Sequence, residues 1–319
     1  MAAPMPAPEG LSEALPVVEA QATRARAREL VVVSGKGGTG KTSVVASFAV
    51  LAGNTVVADC DVDAADLHLV LEPRIVETER FSSGHDAVIR QSDCDGCGLC
   101  EVVCRFDAVV ATTGATPFVI DPLACEGCGV CVELCPIRAI DFNERICGEW
   151  FSSHTRTGPM VHARLGIAAE NSGKLVSLVR TKAAETAAHE GRGVILTDGP
   201  PGIGCPVIAA ITGATGVLIV TEPTVSGAHD MERVLELADH FGIPVATCVN
   251  RWDINPEGAD DIENRARNHD AAIVGRIRYD AAVTRAQVEG RTVVELGGAA
   301  ADDIRAVWER VQRWMEVST

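Results

Sequence analysis

The chain has 319 residues, with 44 acidic against 28 basic side chains and a formal net charge of −16. That acidity repels phosphate backbones and anionic lipid, so neither a nucleic acid nor a membrane surface is expected as a partner. No apolar run approaches the roughly 18 residues of a membrane span. Scarce aromatics (seven Phe, four Trp, one Tyr) beside plentiful Ala, Val and Gly favour tightly packed α/β layers in about two domains.

Residues 1–28 are rich in Ala and Pro (Pro4, Pro6, Pro8, Pro16) and show no periodicity. They read as a tail without the apolar core of a signal peptide, which implies a cytoplasmic protein with reduced thiols. Val31-Val32-Val33 then reads as a buried parallel strand. It runs into Ser34-Gly35-Lys36-Gly37-Gly38-Thr39-Gly40-Lys41-Thr42, which matches G-x₄-G-K-[ST], and a helix follows from Thr42 to about Ala52. In such a loop backbone N–H groups converge on phosphates, and the helix N-terminus adds its positive end. Residues Gly35 through Ser43 are therefore the expected nucleotide cradle. Lys41 is placed on the β- and γ-phosphates of ATP, and Thr42 on Mg²⁺.

Thr55–Asp61 reads as a second strand that delivers Asp61 at its carboxyl end. A short helix is expected over 64–71 and an extended stretch over 75–81. Further on, Gly193–Asp198 forms another apolar strand ending in Asp198-Gly199-Pro200-Pro201-Gly202. Carboxylates at the carboxyl ends of parallel strands stand where α/β sheets place ligands. Asp198 is thus a candidate for a Mg²⁺-bound water, and Asp61 for orienting or deprotonating the attacking water. Asp59, Asp63 and Asp66 suit capping or solvated roles equally well.

Between the two carboxylates lies a duplicated cysteine spacing: Cys94-x₂-Cys97-x₂-Cys100-x₃-Cys104 and Cys125-x₂-Cys128-x₂-Cys131-x₃-Cys135-Pro136. It resembles the pattern that holds two [4Fe–4S] clusters in bacterial-type ferredoxins, where the fourth cysteine of each run serves the other cluster. On that rule Cys94, Cys97, Cys100 and Cys135 bind one cluster, and Cys125, Cys128, Cys131 and Cys104 the other. Arg105 stands where such ferredoxins usually carry proline. A zinc ribbon would leave ligands unused, and a disulfide framework does not suit a chain without export signals. The module is expected over 87–142, splitting an ATPase domain into 29–86 and 143–319.

The remaining pattern alternates strands and helices: a helix over 173–188, strands at 217–220, 245–250 and 273–277, helices over 228–241, 257–268 and 281–289, and an amphipathic last helix from 301 to 317. This implies a doubly wound, mainly parallel sheet, with Trp308 and Trp314 in the core. Cys60 and Cys248 read as inert core thiols, and Cys205 as a partly buried thiol beside the switch. His154, His162, His189 and His229 lack ligand spacing and read as surface or structural.

The lysine at position 36 makes the loop resemble the deviant Walker A of the MinD/ParA/Mrp/nitrogenase-iron-protein class of ATPases. That resemblance implies a homodimer through the nucleotide face, in which Lys36 reaches the partner's nucleotide. It assigns the second-strand aspartate to Asp61, the D-x-P-P-G switch to Asp198–Gly202, and the reading of the adenine edge to Asn250. The segments 148–151, 158–165 and 170–175 are similar to MinD-like proteins with an internal ferredoxin insert, and the resemblance spans about 29–316. In the nitrogenase iron protein a cluster cysteine stands where Cys205 does, with Cys147 only a loose second candidate here. Two functions compete: a nucleotide-gated electron carrier serving a redox partner, and an Mrp-like iron–sulfur maturation factor. A MinD-like positioning role is disfavoured, because the last helix lacks a basic amphipathic face.

Overall fold

The computed structural model describes residues 27–114, 117–166 and 172–318. The expected tail, save Ala27 and Arg28, lies outside these residues, as do Glu170 and Asn171 of the last family-like segment. The chain opens with β1 (Arg28–Ser34), α1 (Lys41–Ala52), β2 (Thr55–Asp59), α2 (Leu67–Leu71) and β3 (Arg74–Ile89). A small lobe follows, with α3 (Leu99–Val103), β4 (Val109–Ala111), β5 (Phe118–Ile120) and α4 (Val130–Glu133). The chain returns through β6 (Ile140–Thr155) and β7 (Gly158–Leu165) to α5 (Ser172–Glu190), β8 (Val194–Pro201), α6 (Cys205–Ile211) and β9 (Gly216–Thr221). It ends with α7 (Val225–His240), β10 (Val245–Asn250), α8 (Pro256–Asn268), β11 (Ala272–Ile277), α9 (Ala281–Val288), α10 (Val293–Leu296) and α11 (Ala299–Val317).

Nine strands form one sheet in the order β11-β10-β9-β1-β8-β2-β7-β6-β3. Pairing is parallel from β11 to β7 and antiparallel for β7–β6 and β6–β3. Alternate residues of one strand feed opposite cores, as the two-residue repeat of a strand requires. Val31 and Val33 pack with α5–α8, while Leu30 and Val32 pack with α1, α2 and α9–α11. Trp308 lies in the second core and Trp314 packs against it. Helices begin where short polar side chains can cap them: Thr224 accepts from the Gly227 N–H, and Asn255 from the Gly258 N–H ahead of Pro256.

The central elements lie where the pattern puts them, with three differences. The helix expected over 64–71 is confined to Leu67–Leu71, and the short α3, β5, α4, α6 and α10 have no counterpart in the pattern. The larger difference is a ribbon: β3 and β6 are each 16 residues long and pair from Arg74↔His154 to Ile89↔Ile140. The extended stretch expected over 75–81 is the first part of β3, an edge segment exposed over 74–80, and the strand continues past it to Ile89. Thr78 lies level with Asp59 through Phe151 and His162. β3 therefore runs eleven residues past the end of β2, roughly 35 Å at strand rise. The lobe sits at the tip of this ribbon, on the same side of the sheet as the loop after β1.

His162 on β7 is a structural histidine. Its Nε2 meets the Ser153 Oγ at 3.0 Å and its ring stacks on Phe151. Burial, then the nearby His68, lowers its pKa to about 4. The unfolded chain therefore binds a proton that the fold refuses, and stability falls as pH drops from about 6.5 toward 4. Urea unfolding at pH 7 and 4.5 should show this as about 2–3 kcal/mol, and His162→Gln should remove that part of the acid sensitivity.

Candidate functional site

The loop after β1 enters α1 through Gly40, whose φ of 90° favours glycine, and a Cβ there would stand 2.4 Å from the Asn250 Nδ2. Asn250, at the end of β10, holds the loop from behind: its Nδ2 donates to the Thr39 carbonyl at 2.7 Å, and its Oδ1 accepts from the Arg251 N–H. The residue expected at the adenine edge thus borders the cleft while bracing the phosphate loop. The Thr39 Oγ1 is buried with no hydrogen-bond partner among the described residues. An unpaired hydroxyl beside free helix N–H groups suits a ligand oxygen.

Lys41 is buried, and its Nζ lies 2.6 Å from the Asp198 Oδ1 and 3.4 Å from the Asp61 Oδ2. Burial opposes its charge, but Asp198, Asp61 and Asp59 outweigh burial and raise its pKa. Thr42 Oγ1 donates to the other Asp198 oxygen at 2.7 Å. One carboxylate thus occupies both groups that a nucleotide phosphate and Mg²⁺ would claim. Asp59 is fully buried and accepts from the Asp61 and Leu67 N–H groups, which makes it the brace of the loop between β2 and α2. Burial, then Asp198, raises its pKa well above the carboxylate norm. Burial also raises that of Asp61, against the pull of Lys41. Asp63 and Asp66 are exposed at the cleft wall.

Lys41, Thr42, Asp61, Asp63 and Asp66 line a cleft of about 530 Å³ with Gly37–Ser43 as its floor, and Asp198 and Asp59 lie behind this lining; the volume is within the usual range for ligand pockets. Its far wall comes from the loop after β11 and from α9, including Arg278, Tyr279 and Gln287, whose Nε2 donates to the Ser43 Oγ. The sequence reading missed this wall, although the rule that ligands gather at strand carboxyl ends points to the residues after Ile277. Gly35 and Lys36 lie outside the cleft lining. The Lys36 Nζ is 3.5 Å from Glu222 and 3.4 Å from the Ser226 Oγ, at the start of α7.

The lobe carries the eight duplicated cysteines in two sets. Cys94, Cys97, Cys100 and Cys135 surround one small cavity with Ile89, Phe118 and Ile140. Cys104, Cys125, Cys128 and Cys131 surround a second with Ala87, Val109 and Ile120. In each set three cysteines come from one run and the fourth from the other. Among the described residues no three His, Cys, Asp or Glu side chains converge on a single ion position. Thiols spread around a cavity suit a polynuclear group, whose irons each take one sulfur, better than a lone zinc. Burial, ahead of the neighbouring thiols for Cys131, raises the Cys100 and Cys131 pKa values. Thiolates at these positions therefore call for a positive centre. The donor set fits two [4Fe–4S] groups.

The other four cysteines stand apart. Cys60, Cys147 and Cys248 are buried. Cys205, read as partly buried, is exposed at the start of α6, because that short helix turns Val207, Ala210 and Ile211 inward and leaves Cys205 outside. Cys147 is enclosed within its own chain, its Sγ 3.1 Å from the Ser83 carbonyl, and so does not join Cys205 at a common surface. No helix among the described residues is long and apolar enough to cross a membrane.

A mainly parallel sheet with a glycine-rich loop running from β1 into α1 defines a P-loop nucleotide-binding protein. The chain belongs to the CobQ/CobB/MinD/ParA nucleotide-binding-domain family, whose model matches residues 30–293. It is 31% identical over 235 residues to an uncharacterised protein of Methanocaldococcus jannaschii, covering 71% of this chain and 79% of that protein. In fold it is similar to the cell division ATPase MinD of Pyrococcus furiosus, at 19% identity and TM-score 0.52, covering 90% of this chain and 99% of that one. The septum site-determining protein MinD of Pyrococcus horikoshii, complexed with Mg-ADP, aligns at 19% identity and TM-score 0.53, covering 92% and 99%.

Removing Lys41 would leave three carboxylates without their cation, and breaking a buried pair from one side costs about 3–5 kcal/mol. Lys41→Met should lower the melting temperature at pH 7 and abolish stabilisation by Mg-ATP. Lys41→Met combined with Asp198→Asn should recover part of the melting temperature but none of the nucleotide response.

Proposed function

We propose that this chain is a dimeric ATPase whose nucleotide state governs electron transfer from two [4Fe–4S] clusters to a redox partner protein. The observation that carries the reading is the division of eight cysteines into two sets of four, each around its own cavity. A pair of such sites makes a conduction path, which a purely structural centre does not require. Each cluster would supply one-electron chemistry when bound. The maturation reading needs an open, transferable site, and two sets with four thiols each are closed ones.

On the nucleotide side, Lys41 exchanges Asp198 and Asp61 for the β- and γ-phosphate oxygens of ATP. Thr42, through its hydroxyl, and Asp198, through a bound water, are the residues that would hold Mg²⁺, and the ion would neutralise phosphate charge. Asp61 orients the water that attacks the γ-phosphorus. That attack breaks the bond to the β–γ bridging oxygen and gives ADP and phosphate. Asn250 stays on the Thr39 carbonyl and keeps the loop shaped. Lys36 is tied to Glu222 by a partly exposed contact, and pairs of that kind contribute only about 0–1 kcal/mol. It is therefore cheaply released toward the phosphates of a second protomer.

Anaerobically purified protein should contain about eight irons per chain. Cys97→Ser and Cys128→Ser should each remove the EPR signature of a different cluster, and about four irons in the intact protein would refute the assignment. Lys36→Ala should still bind ADP but fail to form an ATP-stabilised dimer in sedimentation. Its hydrolysis should fall by about 10³-fold or more, the scale of a cationic contact supplied in trans.

A further inference from the structure

Asp198 binds Lys41 and Thr42 at once, and a nucleotide needs both. A nucleotide that claimed both groups would displace the carboxylate and so give the segment from Asp198 to Cys205 a second arrangement. The Gly202 N–H donates to the Ser34 carbonyl, which ties the segment to the start of the phosphate loop. At its far end, the Cys205 backbone lies against Gly173 in the first turn of α5: a Cβ on Gly173 would stand 3.4 Å from the Cys205 carbonyl oxygen. The next residue, Lys174, extends across to the ribbon, where its Nζ donates to the Ser83 Oγ at 3.2 Å.

Ser83 occupies a special place in the ribbon. The β3–β6 register breaks between Phe81 and Ser82 and again between Ser82 and His85. Ser83 is buried, and its carbonyl accepts from the Cys147 thiol. Beyond the break the contacts lead straight to one cysteine loop. Arg145 pairs with Asp86 and donates to the Cys125 carbonyl at 2.7 Å. Gly127 packs so tightly on His85 that a Cβ would stand 2.2 Å from its carbonyl oxygen. His85 stacks on Phe142, which in turn lies under Gly129. The loop of the first site has other neighbours: Gly96 faces Pro117 and Gly98 faces Phe118, both within the lobe.

We infer that Lys174 is a positioning residue that transmits the state of the Asp198–Cys205 switch, through Ser83 and the break in the ribbon, to the Cys104/Cys125/Cys128/Cys131 site in preference to the other. The cluster at that site rests on the function proposed above; the mechanical link does not. α5 is a 19-residue helix packed into the first core, so its N-terminus shifts as a rigid end. Lys174 is exposed along most of its length, and replacing it leaves that core intact.

Hydrogen exchange on the full-length, anaerobically purified protein tests the link, with and without a non-hydrolysable ATP analogue and Mg²⁺. In the wild type, the analogue should change exchange at residues 83–86 and 125–129 more than at 94–98. In Lys174→Met that change should shrink by about fivefold or more, the lower end of ordinary coupling between sites. The analogue should still bind, and Lys174→Arg should restore the change. On iron-loaded protein, the nucleotide-dependent shift in the EPR signal assigned by Cys128→Ser should vanish in Lys174→Met and persist in Lys174→Arg. Equal exchange changes in Lys174→Met and wild type, or no change at 83–86 in the wild type, would overturn the inference. Low iron content beside an intact exchange response would overturn the cluster reading alone.

Discussion

Asp198 is a buried carboxylate with two claims on it, the Lys41 ammonium and the Thr42 hydroxyl, and both are groups that nucleotide would take. The fold supplies Asp198 from β8, between β1 and β2 in the sheet, so the strands on either side bring the loop lysine and Asp61 to the same point. Three carboxylates around one ammonium form an unbalanced set in a site where desolvation is severe, and the raised pKa of Asp59 reflects this. The arrangement around Lys41 is therefore an electrostatic compromise. A phosphate with its own divalent cation would offer Lys41 and Thr42 a better one.

The same sheet order explains why the cysteine lobe can sit in the chain without displacing the nucleotide cleft. β7, β6 and β3 are added on one flank, away from β10 and β11, whose carboxyl ends border the cleft. The antiparallel turn of β6 sends the lobe out between two paired strands, so both of its ends are fixed by one ladder. The core of the ATPase part is complete on both faces without any lobe residue.

Much of this was legible in the residues. The P-loop, the strand-end aspartates and the buried parallel strands are set by short-range chemistry: glycine conformations, apolar runs and helix starts. The duplicated cysteine spacing already implied two sets of four, and the cavities divide the cysteines that way. What escaped was long-range or featureless. The extended stretch over 75–81 is legible, but its continuation to Ile89 is not, because the pairing of Ile89 with Ile140 depends on residues 51 positions apart. Asn250 was tied to a base edge by resemblance, whereas its hydrogen bond to the Thr39 carbonyl is a tertiary fact that no local pattern encodes. Cys205 was read as partly buried because glycine and proline neighbours say nothing about which side of a short helix faces out.

The ribbon also has a consequence for how the molecule is made. The first β3–β6 contact to form must close a loop of about fifty residues, and closure entropy rises with loop length. The lobe offers little apolar reward for that closure: its core is Ala87, Ile89 and Ile140 with the cysteines and a few flanking side chains. Assembly of the outer flank is thus a late and poorly driven event in the birth of the chain, while the nucleotide half can condense on its own two cores. A group held by the eight thiols would act as an adhesive at the ribbon's tip. Supply of that component would set how quickly newly made chains finish their sheet, and unfinished ones would offer β7 as a raw edge to their neighbours.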